Sequence, residues 1–244
     1  MDLRVLSPRG VPATLRVREG TNDAATIHAT FCFDGKVSDE YGLRDLHIAD
    51  GWAMDVGAHI GSVAIALALD EPEARVIAVE AVPENADLLR TNAAMAGVAD
   101  RVHVVEAAAA GEDDLTATIH YGHYDAPGIP PDHAEQARFI GNLFREHGSR
   151  GIDIEVPAVG LGGLLTRFGI ERLAFLKIDC EGCEWAFLDS PALDRVDRIT
   201  GEYHDRGGSA IVALLARTHR VELMHEDGGS GLFRAVHHML GALP

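Results

Sequence analysis

The stretch Asp55-Val56-Gly57-Ala58-His59-Ile60-Gly61 decides the fold, because it joins a short apolar run at 53–56 to a helix-like segment at 62–69. Glycine at position 57 allows the chain to turn sharply off a buried strand, and glycine at position 61 allows the next helix to pack close to that strand. The backbone N–H groups of Ala58 and His59 then face a ligand near the helix start. The stretch therefore predicts a strand, a tight turn and a helix beside a binding site.

The flanking sequence continues this alternation of strands and helices. Predicted strands at 75–80 and 102–107 enclose a predicted helix at 83–96, and strands alternating with helices at this spacing form a parallel sheet. Half-exposed strands are predicted at 14–18 and 25–31, and 116–121 is an additional strand candidate. Later in the chain we predict strands at 152–159, 173–179 and 198–204, a helix near 209–218, and a terminal hairpin of 221–225 and 231–236.

The composition predicts one globular domain. The chain has 244 residues, of which 47% are hydrophobic and 24% are charged, and its net charge is −17. That charge repels phosphate backbones and anionic lipids, so we expect neither nucleic acid nor a membrane as partner. The first residues lack the pattern of a signal peptide, and no apolar run approaches the roughly 18 residues that a bilayer requires. We therefore expect a cytoplasmic protein.

Glu80 lies at the end of the predicted strand at 75–80, where its carboxylate can accept hydrogen bonds from both hydroxyls of a ribose. A dinucleotide site requires a middle glycine in the turn, which is His59 here, and the G-K-[ST] of a phosphate-binding loop is absent. S-adenosylmethionine has no phosphate, and its positive charges favour a nearby carboxylate such as Asp55. Glu106, at the end of the third strand, is either a ligand of the adenine amino group or a solvated strand end.

Two further strand ends carry acidic residues. The buried run at 173–178 leads into Asp179 and Glu181, and the run at 198–203 carries Glu202 and leads into His204. Open α/β sheets bind their ligands at the carboxyl ends of strands. Since Glu202 and His204 share a face, a carboxylate can orient an imidazole that takes a proton.

The glycine turn, the LKIDxEGxEW stretch and the acidic-x-His strand end resemble the FkbM family of S-adenosylmethionine-dependent methyltransferases, from about residue 20 to 236. The resemblance implies an α/β class I methyltransferase fold, Rossmann-like, with a seven-stranded, mostly parallel sheet, its last strand antiparallel, and helices on both faces. It places Asp55, Gly57, Gly61 and Glu80 at cofactor positions, and Asp179, Glu181, Glu202 and His204 on the reaction side. His59 departs from the family's usual asparagine, Gly162 from an acidic residue, and Cys180 and Cys183 from small apolar residues.

We therefore expect an S-adenosylmethionine-dependent methyltransferase that acts by in-line transfer on a hydroxyl of a small molecule, with His204 as general base. The resemblance implies a sugar or a natural-product intermediate as the acceptor. One domain would comprise an N-terminal segment (1–50), a cofactor-binding half (51–121), an inserted lid (122–151) and a substrate-side half (152–244). A magnesium ion held by Asp179 and Glu202 is an open alternative. N-methylation, an NAD-dependent oxidoreductase and a non-catalytic binding module also remain open. The C-x-x-C spacing suggests zinc or redox chemistry, but buried structural cysteines are the favoured interpretation.

Overall fold

A computed structural model describes residues 1–33, 35, 38–113, 116–121 and 152–240. Its strands are β1 (Asp2–Leu6), β2 (Pro12–Arg16), β3 (Trp52–Val56), β4 (Arg75–Glu80), β5 (Val102–Glu106), β6 (Ala108–Ala109), β7 (Thr116–Tyr121), β8 (Ile152–Val159), β9 (Phe175–Ile178), β10 (Arg198–Tyr203), β11 (His219–Asp227) and β12 (Ser230–His237). Its helices are α1 (Asp23–Thr30), α2 (Ser62–Asp70), α3 (Pro83–Met95), α4 (Leu161–Arg167), α5 (Glu184–Leu188) and α6 (Gly208–Leu215), with short 3₁₀ turns at Pro191–Arg195 and His238–Leu240.

A seven-stranded sheet forms the centre of the protein, in the order β5-β4-β3-β9-β10-β12-β11. Neighbouring strands from β5 to β10 are parallel, whereas β12 runs antiparallel to both β10 and β11. The predicted mostly parallel sheet with an antiparallel last strand is confirmed. The chain proceeds outward from β3 to β5 and then returns to β9 on the other side of β3. This reversal opens a crevice at the carboxyl ends of β3 and β9.

The sheet has an apolar core on each face, because alternate residues of a strand point to opposite sides. On β3, Ala53 belongs to one core, and Met54 and Val56 belong to the other. Helices α1, α2 and α3 pack in the first core, and α4, α5 and α6 pack in the second. Burial on both faces explains why β3 and β4 are nearly continuous apolar runs.

Two predicted strands have a different place in the structure. Residues 25–31 were predicted as a strand, but 23–30 form helix α1. Ile27 and Phe31 are both buried, and their spacing of four places them on one side in a strand or in a helix, so the pattern was ambiguous. Buried Asp23, which binds Arg18, fixes the first turn of the helix.

The predicted strand at 152–159 is present but belongs to a separate three-stranded sheet, in the order β6-β8-β7. In this small sheet β8 is parallel to β6 and antiparallel to β7. Val156 and Ile119 pack against Val82, beside the end of β4. The small sheet therefore forms a wall next to the central crevice. The predicted lid at 122–151 lies outside the described residues.

Within the part of the chain that the structure describes, no helix combines the length and the apolar character required to cross a membrane.

Candidate active site

A cavity of about 280 Å³ occupies the crevice at the carboxyl ends of β3, β4 and β9. Six of the predicted catalytic and cofactor-binding residues line it: Gly57, Ala58, His59, Glu80, Asp179 and Glu181. Helix α1 contributes Thr26 and Thr30 to the lining, and the small sheet contributes Ala108 and Ile119. The cavity is therefore enclosed partly by the N-terminal segment and partly by the small sheet.

The turn after β3 has the backbone that its glycines predict. Gly57 has a φ of 72° and Gly61 a φ of 94°, both in the left-handed region that favours glycine. A Cβ atom at Gly57 would overlap the carbonyl oxygen of Asp179, and a Cβ atom at Gly61 would lie 2.9 Å from Leu89 Cγ. His59 also has a positive φ, of 51°, a conformation in which histidine and asparagine are enriched.

Glu80 ends β4 and binds the turn directly. Its Oε2 accepts a hydrogen bond from the His59 backbone N–H (2.7 Å), and its Oε1 accepts from the Val82 N–H (2.9 Å) and from Asn85 Nδ2 (3.2 Å). These bonds use three of roughly four acceptor positions of a carboxylate. One position is left for a ligand hydroxyl, where the sequence had suggested contacts to two.

A polar network ties the N-terminal segment to this site. Arg18 Nη2 donates to Asp23 Oδ1 (2.8 Å) and to Asn85 Oδ1 (2.7 Å). His59 Nε2 lies 3.6 Å from Asp23 Oδ1. Because Asn85 and the His59 amide both bind Glu80, the network closes on the carboxylate. Residues of the N-terminal segment, which precede the central sheet in sequence, thus hold the glycine turn and Glu80 in place.

Asp55 is not among the residues that line the cavity, and its contact with the cofactor stays a prediction. It is fully buried, and its register partner on β9 is Lys177, whose Nζ lies 3.2 Å from Asp55 Oδ1. Asp55 Oδ2 accepts a hydrogen bond from the Ala64 N–H in the first turn of α2 (3.0 Å). Burial raises the pKa of Asp55, and the neighbouring ammonium opposes that shift. The carboxylate therefore anchors the helix start.

Lys177, on β9, connects the two halves of the site. Its ammonium donates to the Gly57 carbonyl oxygen (3.0 Å), and it lies 5.3 Å from the ring centroid of Tyr41. Burial lowers the pKa of Lys177, but the charges of Asp55 and Asp179 outweigh it and raise the pKa overall. Lys177 is therefore a cation at neutral pH.

Tyr41 reaches the reaction side from the N-terminal segment. Its hydroxyl donates a hydrogen bond to Asp179 Oδ2 (2.9 Å), and the residue is buried in the cavity wall. Burial, together with the charge of Asp179, holds the pKa of Tyr41 well above its usual value. The phenol therefore remains a hydrogen-bond donor that fixes one oxygen of Asp179.

His204 is surrounded by carboxylates. Its Nδ1 lies 2.9 Å from Glu184 Oε1, and its Nε2 lies 3.4 Å from Glu202 Oε2 and 3.5 Å from Glu181 Oε2. Burial opposes the charged ring, but the bonds to Glu184 and Glu202 dominate and raise the pKa of His204 to about 11. At that pKa the imidazole is largely protonated at neutral pH, which disfavours it as a proton acceptor. The role of His204 as general base stays a prediction.

Glu181 has the opposite character. Burial, reinforced by the charge of Asp179, raises its pKa to about 7, while His204 works against the shift. Its side chain is 35% exposed, and it lines the cavity directly. Of the reaction-side carboxyls, this one titrates near neutrality at the cavity surface.

The remaining predicted positions lie outside the cavity lining. Glu106 is exposed at the end of β5, where it pairs with Arg90 (3.0 Å), so the structure supports the solvated strand end. Gly61 sits behind the turn, and Glu202 and His204 lie behind Glu181.

Three potential metal ligands converge in Asp179, Glu181 and His204, whose ligand atoms all lie within 4.8 Å of one another. Glu202, which the sequence paired with Asp179 for magnesium, is not part of this group. Magnesium prefers oxygen ligands alone, in octahedral geometry. One of the three ligand atoms is an imidazole nitrogen of His204, whose ring is paired with carboxylates. This ligand set does not fit the preference of magnesium.

Cys180 and Cys183 also line the cavity, and they are joined by a disulfide bond. They are half-buried and pack against the second apolar core, so their interpretation as structural cysteines stays a prediction.

Sequence reasoning missed Tyr41 and Glu184. Glu184 is fully buried and accepts hydrogen bonds from the backbone N–H groups of His204 (2.8 Å) and Gly182 (2.8 Å). Glu184 could have been found from the sequence, because it follows closely on the acidic residues Asp179 and Glu181 at the end of β9. Nothing local in the sequence linked Tyr41 to Asp179.

The central sheet has the strand order and the antiparallel last strand of a class I S-adenosylmethionine-dependent methyltransferase. The cavity lies at the strand ends, between Glu80 and the glycine turn, where such a fold binds its ligand. Residues 55–228 match the Methyltransferase FkbM domain. The chain therefore belongs to the FkbM methyltransferase family.

Known relatives are similar to different extents. The 31-O-demethyl-FK506 methyltransferase FkbM of Streptomyces tacrolimicus is 30% identical over 183 residues, which cover 66% of this chain and 69% of that protein. The O-methyltransferase from Bacillus cereus, solved in complex with SAH, is 18% identical with a TM-score of 0.47, over 88% of this chain and 86% of that one. TrmK of M. capricolum, in complex with S-adenosyl-homocysteine, is 7% identical with a TM-score of 0.48, over 82% and 68% of the two chains.

Proposed function

We propose that this methyltransferase transfers the methyl group of S-adenosylmethionine to a hydroxyl of a small molecule, with Glu181 as general base. The observation that carries the proposal is that Glu80 and Glu181 line one cavity, so a cofactor-holding carboxylate and a titrating carboxylate face the same space. The relative from Streptomyces tacrolimicus is named for methylation at an oxygen, which supports an oxygen acceptor here.

The cavity suits the cofactor in shape and in charge. Glu80 keeps an acceptor position for a ribose hydroxyl, and the tight turn brings its backbone to the cavity surface. S-adenosylmethionine, when bound, supplies an electrophilic methyl group on a positively charged sulfur. Asp179 and Glu181 give the lining an acidic character that favours such a cation over a phosphate-bearing dinucleotide.

Glu181 replaces His204 as the proposed base because of its protonation state. With a pKa of about 7 it is partly ionised at neutral pH and ready to accept the proton of an acceptor hydroxyl. The cationic His204 holds Glu181 and Glu202 and limits the repulsion among the carboxylates. Catalysis otherwise consists of positioning the acceptor oxygen behind the methyl group. No step in this proposal requires magnesium.

The cofactor half of the proposal is tested by calorimetry with S-adenosylhomocysteine. Glu80→Gln keeps the size of the side chain but removes its charge, and hydrogen bonds to a charged group contribute roughly 1.5–3 kcal/mol. We expect the Kd to rise about 10- to 100-fold. An unchanged Kd would mean that Glu80 does not hold the cofactor.

The reaction half is tested by the release of S-adenosylhomocysteine with a panel of matched alcohols and amines. We expect turnover with alcohols, and a kcat that rises with pH through about 7 as Glu181 ionises. Glu181→Gln should lower kcat by roughly 10²–10⁴-fold and leave the Kd for S-adenosylhomocysteine nearly unchanged. Turnover with amines alone would favour N-methylation, and wild-type kcat in Glu181→Gln would remove the base assignment.

A further inference from the structure

The loop between β9 and α5 contains both the disulfide and the proposed base. Cys180 and Cys183 flank Glu181 and Gly182, and their Cα atoms are 5.5 Å apart, within the usual range for a disulfide. Both cysteines are half-buried and line the cavity. Cys32, the third cysteine of the chain, is not in a disulfide. The bond therefore closes a small ring at the wall of the active site.

The backbone inside this ring is held in an uncommon conformation. Glu181 has a φ of 58° and Gly182 a φ of 107°. For a residue with a side chain, the left-handed region costs on the order of 1–2 kcal/mol, so it persists only where the surroundings impose it. The disulfide is one such constraint. The other is Glu184, whose Oε2 accepts from the Gly182 N–H (2.8 Å) and lies 3.6 Å from Cys180 Sγ.

Reduction would change the wall of the cavity. Bonded sulfurs are roughly 2.05 Å apart, whereas heavy atoms that are not bonded stay about 3.5–4 Å apart. The two thiols must therefore separate by roughly 1.5–2 Å within a loop of four residues. Glu181 lies between them in a left-handed conformation that the ring helps to hold, so opening the ring removes a constraint on the position of its carboxylate.

We propose that Cys180 and Cys183 form a reversible thiol–disulfide modification site that sets the position of Glu181 and thereby controls turnover. The reacting partner is a low-molecular-weight disulfide such as oxidised glutathione. One cysteine thiolate attacks that disulfide, which forms a mixed disulfide and releases one thiol. The second thiolate then attacks the cysteine sulfur and releases the other thiol. The two protein thiols lose two protons and two electrons, and the small disulfide gains them. The effect on turnover rests on the proposed role of Glu181.

The modification itself is tested without any assay of activity. The full chain is equilibrated in glutathione buffers of graded redox potential, then alkylated and weighed by mass spectrometry. We expect one alkyl label in oxidising buffer, on Cys32, and three labels in reducing buffer. Three labels in every buffer would overturn the proposal, as would one label in every buffer, since the pair would then be permanently open or permanently closed.

The link to the active site is tested by two further readouts. We expect faster amide hydrogen exchange in residues 179–184 after reduction, and a kcat at least threefold lower than in the oxidised protein. Cys32→Ser should keep the full redox response, and the double variant Cys180→Ser/Cys183→Ser should behave as reduced in every buffer. Equal hydrogen exchange and equal kcat in the two states would overturn the control of Glu181.

The outcome also separates this proposal from the proposed function. If Glu181→Gln retains wild-type kcat while labels and hydrogen exchange still follow the redox buffer, the base assignment fails and the modification site stands. If Glu181→Gln loses turnover while the labels do not change with the buffer, the base assignment stands and the modification site fails.

Discussion

Replacing Gly57 by alanine should be far more damaging than the same replacement at Gly97, although both glycines have nearly the same backbone. Their φ angles are 72° and 74°, so alanine pays the left-handed penalty of roughly 1–2 kcal/mol at either position. At Gly97 nothing lies within 4 Å of the added Cβ. At Gly57 the Cβ overlaps the backbone of Asp179, and forced overpacking adds about 1–3 kcal/mol. We therefore expect losses of about 2–5 kcal/mol for Gly57→Ala and about 1–2 kcal/mol for Gly97→Ala.

Urea unfolding followed by circular dichroism measures both losses, and calorimetry with S-adenosylhomocysteine supplies a second readout. Gly57→Ala must push β3 and β9 apart at their carboxyl ends, so it should also weaken cofactor binding. Gly97→Ala, which lies after α3 and away from the cavity, should leave the Kd unchanged. If the two variants lose equal stability and bind equally well, the close approach of the two strand ends is not what requires glycine at position 57.

Two other predictions concern buried charges. Lys177→Met leaves Asp55 buried without its cation and should lower the free energy of unfolding in urea by roughly 3–5 kcal/mol. Adding Asp55→Asn should recover at least half of that loss. A double variant as unstable as the single one would contradict the pairing. His204→Gln should lower stability by roughly 2–3 kcal/mol near pH 6. Because the folded pKa of His204 is raised to about 11, the difference from wild type should be largest below about pH 6.5 and should shrink as the pH rises toward 11. A difference that grows with pH would refute the charged state of this imidazole.

The charge arrangement also explains why we propose Glu181 rather than His204 as the base. His204 and Glu202 were expected to meet, and they do, at 3.4 Å. However, the protonation state of an imidazole depends on every charge around it. Glu181 approaches His204 from the β9–α5 loop and Glu184 from the start of α5, and a strand pattern gives no information about that approach. The same two residues therefore hold an imidazole that is largely protonated at neutral pH.

The sequence alone determined the strands of the central sheet, the glycine turn and the acidic strand ends, because each of these depends on residues close together in the chain. Short apolar runs predicted β3, β4 and β9, and the carboxyl ends of parallel strands must meet at one edge of the sheet. Only the tertiary structure decided which of these carboxylates face the cavity. Asp55 faces Lys177 and Glu106 faces Arg90, whereas Tyr41 and Asp179, far apart in the chain, are in contact. The exposure, the pairing and the protonation of each carboxylate depend on residues that are near it in space but distant in sequence. The spacing of residues along the chain does not encode those contacts.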